Sequence, residues 1–144
     1  MPAKTQQDIS AVAQHTPAIL VVAEEDNVRD LLQDILEAHG YRTLTSTNLE
    51  DAARVASKES VDLVVVELDR PGPRQVDGIE ALRRSRTGLK IIAVLGDSSL
   101  ACLESLVDAI VWKPFSVNAL ATIVSEYIGP AEPIQKETAQ LTSV

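Results

Sequence analysis

Short, unbroken apolar runs alternate along this chain with stretches whose apolar residues recur every three or four positions. Ala18–Val22 is apolar throughout, as expected of a strand buried on both faces. Val28, Leu31, Leu32, Ile35 and Leu36 then keep helical spacing, with Asp26 or Asn27 as the N-cap and Gly40 as the stop. A second strand is expected at 41–45. Thr47-Asn48-Leu49-Glu50 has the form of a capping box, opening a helix with Leu49, Ala52, Ala53 and Ala56 on one face. The third strand, 63–66, is the most apolar. The prolines and glycines of 71–78 predict a loop, followed by a short helix at 79–86 and a strand at Lys90–Leu95. A brief helix at 98–106, a strand at Ala109–Trp112 and a last helix capped by Ser116 complete the pattern. That helix carries Val117, Leu120, Val124, Tyr127 and Ile128, and Gly129-Pro130 stops it.

Five strands alternating with five helices predict an α/β fold: a doubly wound, five-stranded parallel sheet with helices on both faces. In such sheets the site lies beyond the carboxyl ends of the strands, where the strand order reverses. The residues to read are therefore Glu24, Glu25, Glu67, Leu95 and Lys113. One domain is expected over 18–129, preceded by a flexible polar arm at 1–17 and followed by a disordered polar tail at 130–144.

Composition narrows the function. With 144 residues and 45% hydrophobic content the chain suits one compact domain, and 3% aromatics leave the core to Val, Leu, Ile and Ala. A net charge of −8 argues against a nucleic-acid partner, because phosphate contacts need clustered Lys and Arg. The lone Cys102 excludes an internal disulfide and reads as a small buried apolar residue in a reducing compartment. No segment is long and apolar enough to span a membrane and no signal peptide is evident, so a cytoplasmic protein without a membrane partner is expected. His15 and His39 lack ligand companions, and neither a Gly-rich phosphate cradle nor a Gly-x-Ser-x-Gly elbow occurs. Trp112 is of a type enriched at binding hot spots, but packing under the last helix is the expected role.

Three segments carry a resemblance. They are Ala23-Glu24-Glu25-Asp26-Asn27-Val28-Arg29 after the first strand, Glu67-Leu68-Asp69-Arg70-Pro71-Gly72 after the third, and Trp112-Lys113-Pro114-Phe115 after the fifth. Over about 18–128 the chain resembles a bacterial response-regulator receiver domain, in a degenerate or pseudo-receiver form. The resemblance implies the five-stranded flavodoxin-like receiver fold. It places Glu67 where the family keeps its phosphate-accepting aspartate, and Lys113 as the charge reader with a cis bond to Pro114. The family's magnesium-holding acidic pair falls on Ala23 and Glu24, with Glu25 and Asp26 adjacent in an acidic pocket. Glu24 and Glu67 are then the metal ligands, for weak Mg2+ only, and no cofactor is required. The switch hydroxyl and switch aromatic are replaced by Leu95 and Ile110. The stretch between Leu95 and Lys113 is shorter than usual, which should trim the fourth helix, and the loop after Gly72 is longer.

Glutamate adds one C–C bond, roughly 1.5 Å, and a misplacement of about 1 Å can cost on the order of a hundredfold in a positioned reaction. Glu67 should thus be a poor acceptor. A fixed Glu67–Lys113 pair would either mimic part of the phosphorylated charge or serve structure alone. The leading expectation is a non-enzymatic docking module in two-component-type signalling, partnered by a histidine kinase or an output protein, since the length leaves no room for an output domain. Receivers also pair with their own copies, so a homodimer is a further arrangement the resemblance allows. A second expectation takes Asp69 as a shifted phosphate acceptor: it points to the same side as Glu67 if the strand runs on. A third compares Glu24, Glu67 and Asp69 with the acidic set of Toprim-type, magnesium-dependent phosphoryl-transfer enzymes, which magnesium-dependent nicking activity would reveal.

Overall fold

The computed structural model describes residues 17–69, 72–96 and 103–131. Five parallel strands form one sheet in the order β2-β1-β3-β4-β5. They are β1 Ala18–Val22, β2 Arg42–Ser46, β3 Leu63–Leu68, β4 Lys90–Leu95 and β5 Ala109–Trp112. Four helices accompany them among the described residues: α1 Asp26–Ala38, α2 Leu49–Lys58, α3 Pro73–Arg84 and α4 Val117–Ile128. The doubly wound parallel architecture is therefore as expected.

Alternation along the central strands divides the core into two layers. Leu20, Val22, Val64, Val66, Ile91, Ala93 and Leu95 face α2 and α3, where Ala52, Ala56, Ile79 and Leu82 meet them. Ile19, Val21, Leu63, Val65, Ile92 and Val94 face α1 and α4, against Leu32, Leu36, Leu120 and Val124. Strands buried on both faces need no polar alternation, so they read as continuous apolar runs. Gly78 of α3 lets α2 come close: a Cβ there would stand 2.7 Å from Leu49 Cδ1.

Several boundaries depart from the expected ones. α1 is capped by Glu25 without a side-chain bond, while Asp26 pairs with Arg29 instead of capping. Gly40, at φ +93°, does end it. β2 starts at Arg42, because the Tyr41 N–H closes the helix end on Leu36 O and the ladder begins with Arg42 N–H on Pro17 O. Asn48, not Thr47, caps α2 by accepting from the Asp51 N–H at 2.8 Å. β3 runs two residues past 66.

The largest correction concerns 73–78, which is the first part of α3 rather than loop. Proline at the first helical position sacrifices no hydrogen bond, and Gln75 Oε1 accepts from the Gly72 N–H at 2.8 Å. The expected helix at 98–106 lies partly outside the described residues. Its described end is a single turn, closed by Leu106 N–H on Leu103 O. Cys102, Arg70, Pro71 and His15 also lie outside, as do 1–16 and 132–144, which hold nearly all of the expected arm and tail. Ala131 is packed in the core layer under α1 and α4.

Trp112 does not lie under the last helix; it is 41% exposed. β5 is one of the sheet's two edge strands, with a burial pattern that leaves only Val111 fully covered, so Trp112 turns outward beyond the packed layer.

Candidate functional site

The carboxyl ends of the strands open into a cavity of about 750 Å³. β1 supplies Val22, then Ala23 and Glu24 just beyond it. β3 supplies Glu67 and Leu68, with Asp69 just past its end. Asn48 enters from the turn before α2, and Gln75 from the first turn of α3. β1 and β3 are neighbours, so the acidic ends of the first and third apolar runs meet. This is the crevice the topology predicts, because the strand order reverses at β1.

Lys113 completes the site from beyond β5. Its backbone N–H donates to Leu95 O at 2.8 Å, continuing the β4–β5 ladder by one residue. Its Nζ donates to Glu67 Oε2 and, at 3.0 Å, to Asp69 Oδ1. The bond between Lys113 and Pro114 is cis, as the resemblance implies.

The three charged groups differ in exposure. The Glu67 side chain is only 5% exposed, Lys113 30% and Asp69 66%. Burial, the largest influence on Glu67, pushes its carboxyl above the usual range. Lys113 pulls against that shift and the neighbouring Asp69 carboxyl adds to it. Burial also disfavours the Lys113 ammonium, but its bonds to the two carboxylates outweigh this and raise it. Two carboxylates on one ammonium leave the cluster one negative charge in excess. Glu67, chiefly through burial, and Lys113, through its two carboxylate partners, both hold their protons more tightly than usual.

The other residues singled out by sequence divide clearly. Glu24 lines the cavity, whereas Glu25 caps α1 and Asp26 pairs with Arg29; neither is among the lining residues. Leu95 is fully buried at the end of β4 and offers no hydroxyl. Ile110 packs partly buried on the same core layer, without an aromatic ring. Magnesium takes near-ideal octahedral oxygen geometry. Ala23 contributes no carboxylate, Glu67 spends an oxygen on Lys113, and no group of three or more metal-ligating side chains is gathered among the described residues. This donor set does not fit a tightly held magnesium ion.

Sequence reasoning missed Asn48 and Gln75 as walls of the cavity, because both act first as helix-terminal residues. It also missed the bonds that fix the far ends of the strands. Asp62 Oδ2 accepts from the Ala18 N–H at 2.9 Å, and Asp108 Oδ2 accepts from the Ile91 N–H at 2.8 Å. The available signal was an aspartate immediately before an apolar run.

A family model of the response regulator receiver domain matches residues 19–125. The chain belongs to that family. It is 33% identical over 84% of its length to the sensor histidine kinase RcsC of Salmonella typhi, of which it spans 13%. It is 27% identical over 76% of its length to sporulation initiation phosphotransferase F of Bacillus subtilis, of which it spans 92%. Among solved structures, the response regulator TrrA of Thermotoga maritima, in complex with Mg(2+)-BeF, aligns with a TM-score of 0.69 and 28% identity over 77% of this chain and 98% of its own. The chain is a receiver domain of two-component signalling, a class of generally non-enzymatic signalling modules. No helix among the described residues is long and apolar enough to cross a membrane.

Proposed function

We propose that this receiver works as a pseudo-receiver, docking on a signalling protein without being phosphorylated at Glu67. The observation that carries this reading is the commitment of the Lys113 ammonium to Glu67 and Asp69 within the chain itself. In this reading the lysine that would meet an incoming phosphoryl group already has two anionic partners. The absence of a hydroxyl at Leu95 and of an aromatic ring at Ile110 supports it, since neither switch movement then has its side chain. The partner is a histidine kinase or an output protein rather than nucleic acid, the setting is cytoplasmic, and no cofactor is required.

One observation favours a second reading. Asp69 lines the cavity and reaches Lys113 at 3.0 Å, as a longer β3 requires, and it is far more exposed than Glu67. Asp69 is then the phosphate acceptor, two residues beyond the usual position.

Incubation with acetyl phosphate and Mg2+, followed by intact mass and peptide mapping, separates the two. An unmodified chain is the expected result. An adduct on Asp69 would establish the second reading, and one on Glu67 would overturn the reach argument.

A further inference from the structure

We propose that two copies of this chain pair edge to edge through β2. Among the described residues β2 bonds to β1 alone, and it is the sheet edge remote from β5. The Arg42 N–H donates to Pro17 O, and Ser46 O accepts from the Ala23 N–H. Alternation along a parallel ladder therefore turns the backbone groups of 42, 44 and 46 toward β1. Those of Thr43 and Thr45 turn toward the free edge. An open groove of about 520 Å³ lies beside it, lined by Gln33 of α1, by Arg54, Val55 and Lys58 of α2, and by Glu59. A regular strand without proline, offering its N–H and C=O groups at an open edge, is a template for strand addition.

The sequence of β2 selects a second copy as the occupant. Its central Thr43-Leu44-Thr45 reads the same in either direction about Leu44, while Arg42 and Ser46 differ. A two-fold axis at Leu44 sets Thr43 of each copy opposite Thr45 of the other as hydrogen-bonded pairs. The two Leu44 residues then meet as the closer, non-hydrogen-bonded pair. Every outward backbone group of Thr43 and Thr45 finds a partner in this register.

Charge supports the same antiparallel arrangement. α2 has Glu50 and Asp51 in its first turn and Lys58 in its last. Leu44 packs on the core layer of α2 and α3, and Ser46 Oγ donates to Asp51, so Arg42 shares the α2 face. Asp51 is already paired with Arg54 in its own chain and Glu59 follows Lys58, so the unmatched charges are Glu50 at one end and Arg42 with Lys58 at the other; antiparallel pairing brings these together, twice. The α1 side opposes it, because Asp30, Asp34 and Glu37 are all acidic; any electrostatic register is set by α2.

Sedimentation velocity of the full chain over a range of about 1 µM to 1 mM tests this. A concentration-dependent dimer is expected, and Thr45→Pro should abolish it, because proline removes one outward N–H at an edge where the β1 ladder does not use it. Circular dichroism checks that the variant folds. Independently, E50K and K58E should each weaken association about tenfold, and the double variant E50K/K58E should restore it. A chain that stays monomeric overturns the proposal, as does a dimer indifferent to both T45P and the charge reversals. So does a dimer that appears only when residues 1–16 are removed, which would mean that the chain's own arm covers the edge.

Discussion

Two polar clusters stand at opposite ends of β5, and they are built on opposite principles. Before the strand, Asp108 has donors enough. Its Oδ2 accepts from Arg83 and from the Ile91 N–H, both at 2.8 Å, while its backbone O accepts from the Tyr127 hydroxyl at 2.7 Å. Burial pushes the Asp108 carboxyl up, but the Ile91 N–H and the Arg83 guanidinium prevail and hold it below its usual value. After the strand, Lys113 serves two carboxylates, and Glu67, the more buried, is pushed up. Donors in excess make a structural clasp. Acceptors in excess leave charge unsatisfied, in the crevice where this fold places its function.

Breaking the clasp should have the largest effect. Asp108→Ala is expected to cost about 2–3 kcal/mol in urea denaturation, because the Ile91 N–H and Arg83 lose a shared acceptor. A loss under about 0.5 kcal/mol would remove the distinction between the clusters. The matching change at the other end, Glu67→Leu, should alter stability by no more than about 1 kcal/mol in either direction. Replacing a buried, imperfectly compensated charge with an apolar side chain offsets the lost pair.

The pH dependence sharpens the comparison, since the two clusters have opposite signs. Asp108 has a lowered pKa, so its contribution is present above 3.8 and is lost as pH falls through the folded value. Glu67 has a raised pKa, so its contribution is present below 4.5 and is lost as pH rises through the folded value. Denaturation across acid pH should show D108N flattening the first slope and E67Q the second. A wild-type second slope of the opposite sign would contradict the account of Glu67. The smallest effect belongs to Asp69→Asn, under about 1 kcal/mol, because an ion pair this exposed is heavily screened.

What was legible in the sequence follows the same physics. Strands buried on both faces announced themselves as apolar runs, and the charged residues at their ends, Glu67 and Lys113, fell where the sheet brings them together. Residues with two compatible roles did not. Pro73 and Gly78 are turn formers in isolation, yet Pro73 suits the first position of α3 and Gly78 lets Leu49 close on that helix. Trp112 could not be placed without knowing that β5 is an edge. Nor could sequence alone divide Lys113 between Glu67 and Asp69, because that depends on β3 running to Leu68.

The central claim is that Lys113 is held by the chain's own carboxylates and that signalling proceeds without a phosphoryl group. The most direct test takes the protein from its own cells onto a phosphate-affinity gel, beside the Asp69→Asn variant. A single unretarded band for both is the predicted result. A retarded band in the natural protein that disappears in Asp69→Asn would contradict it and make Asp69 the acceptor.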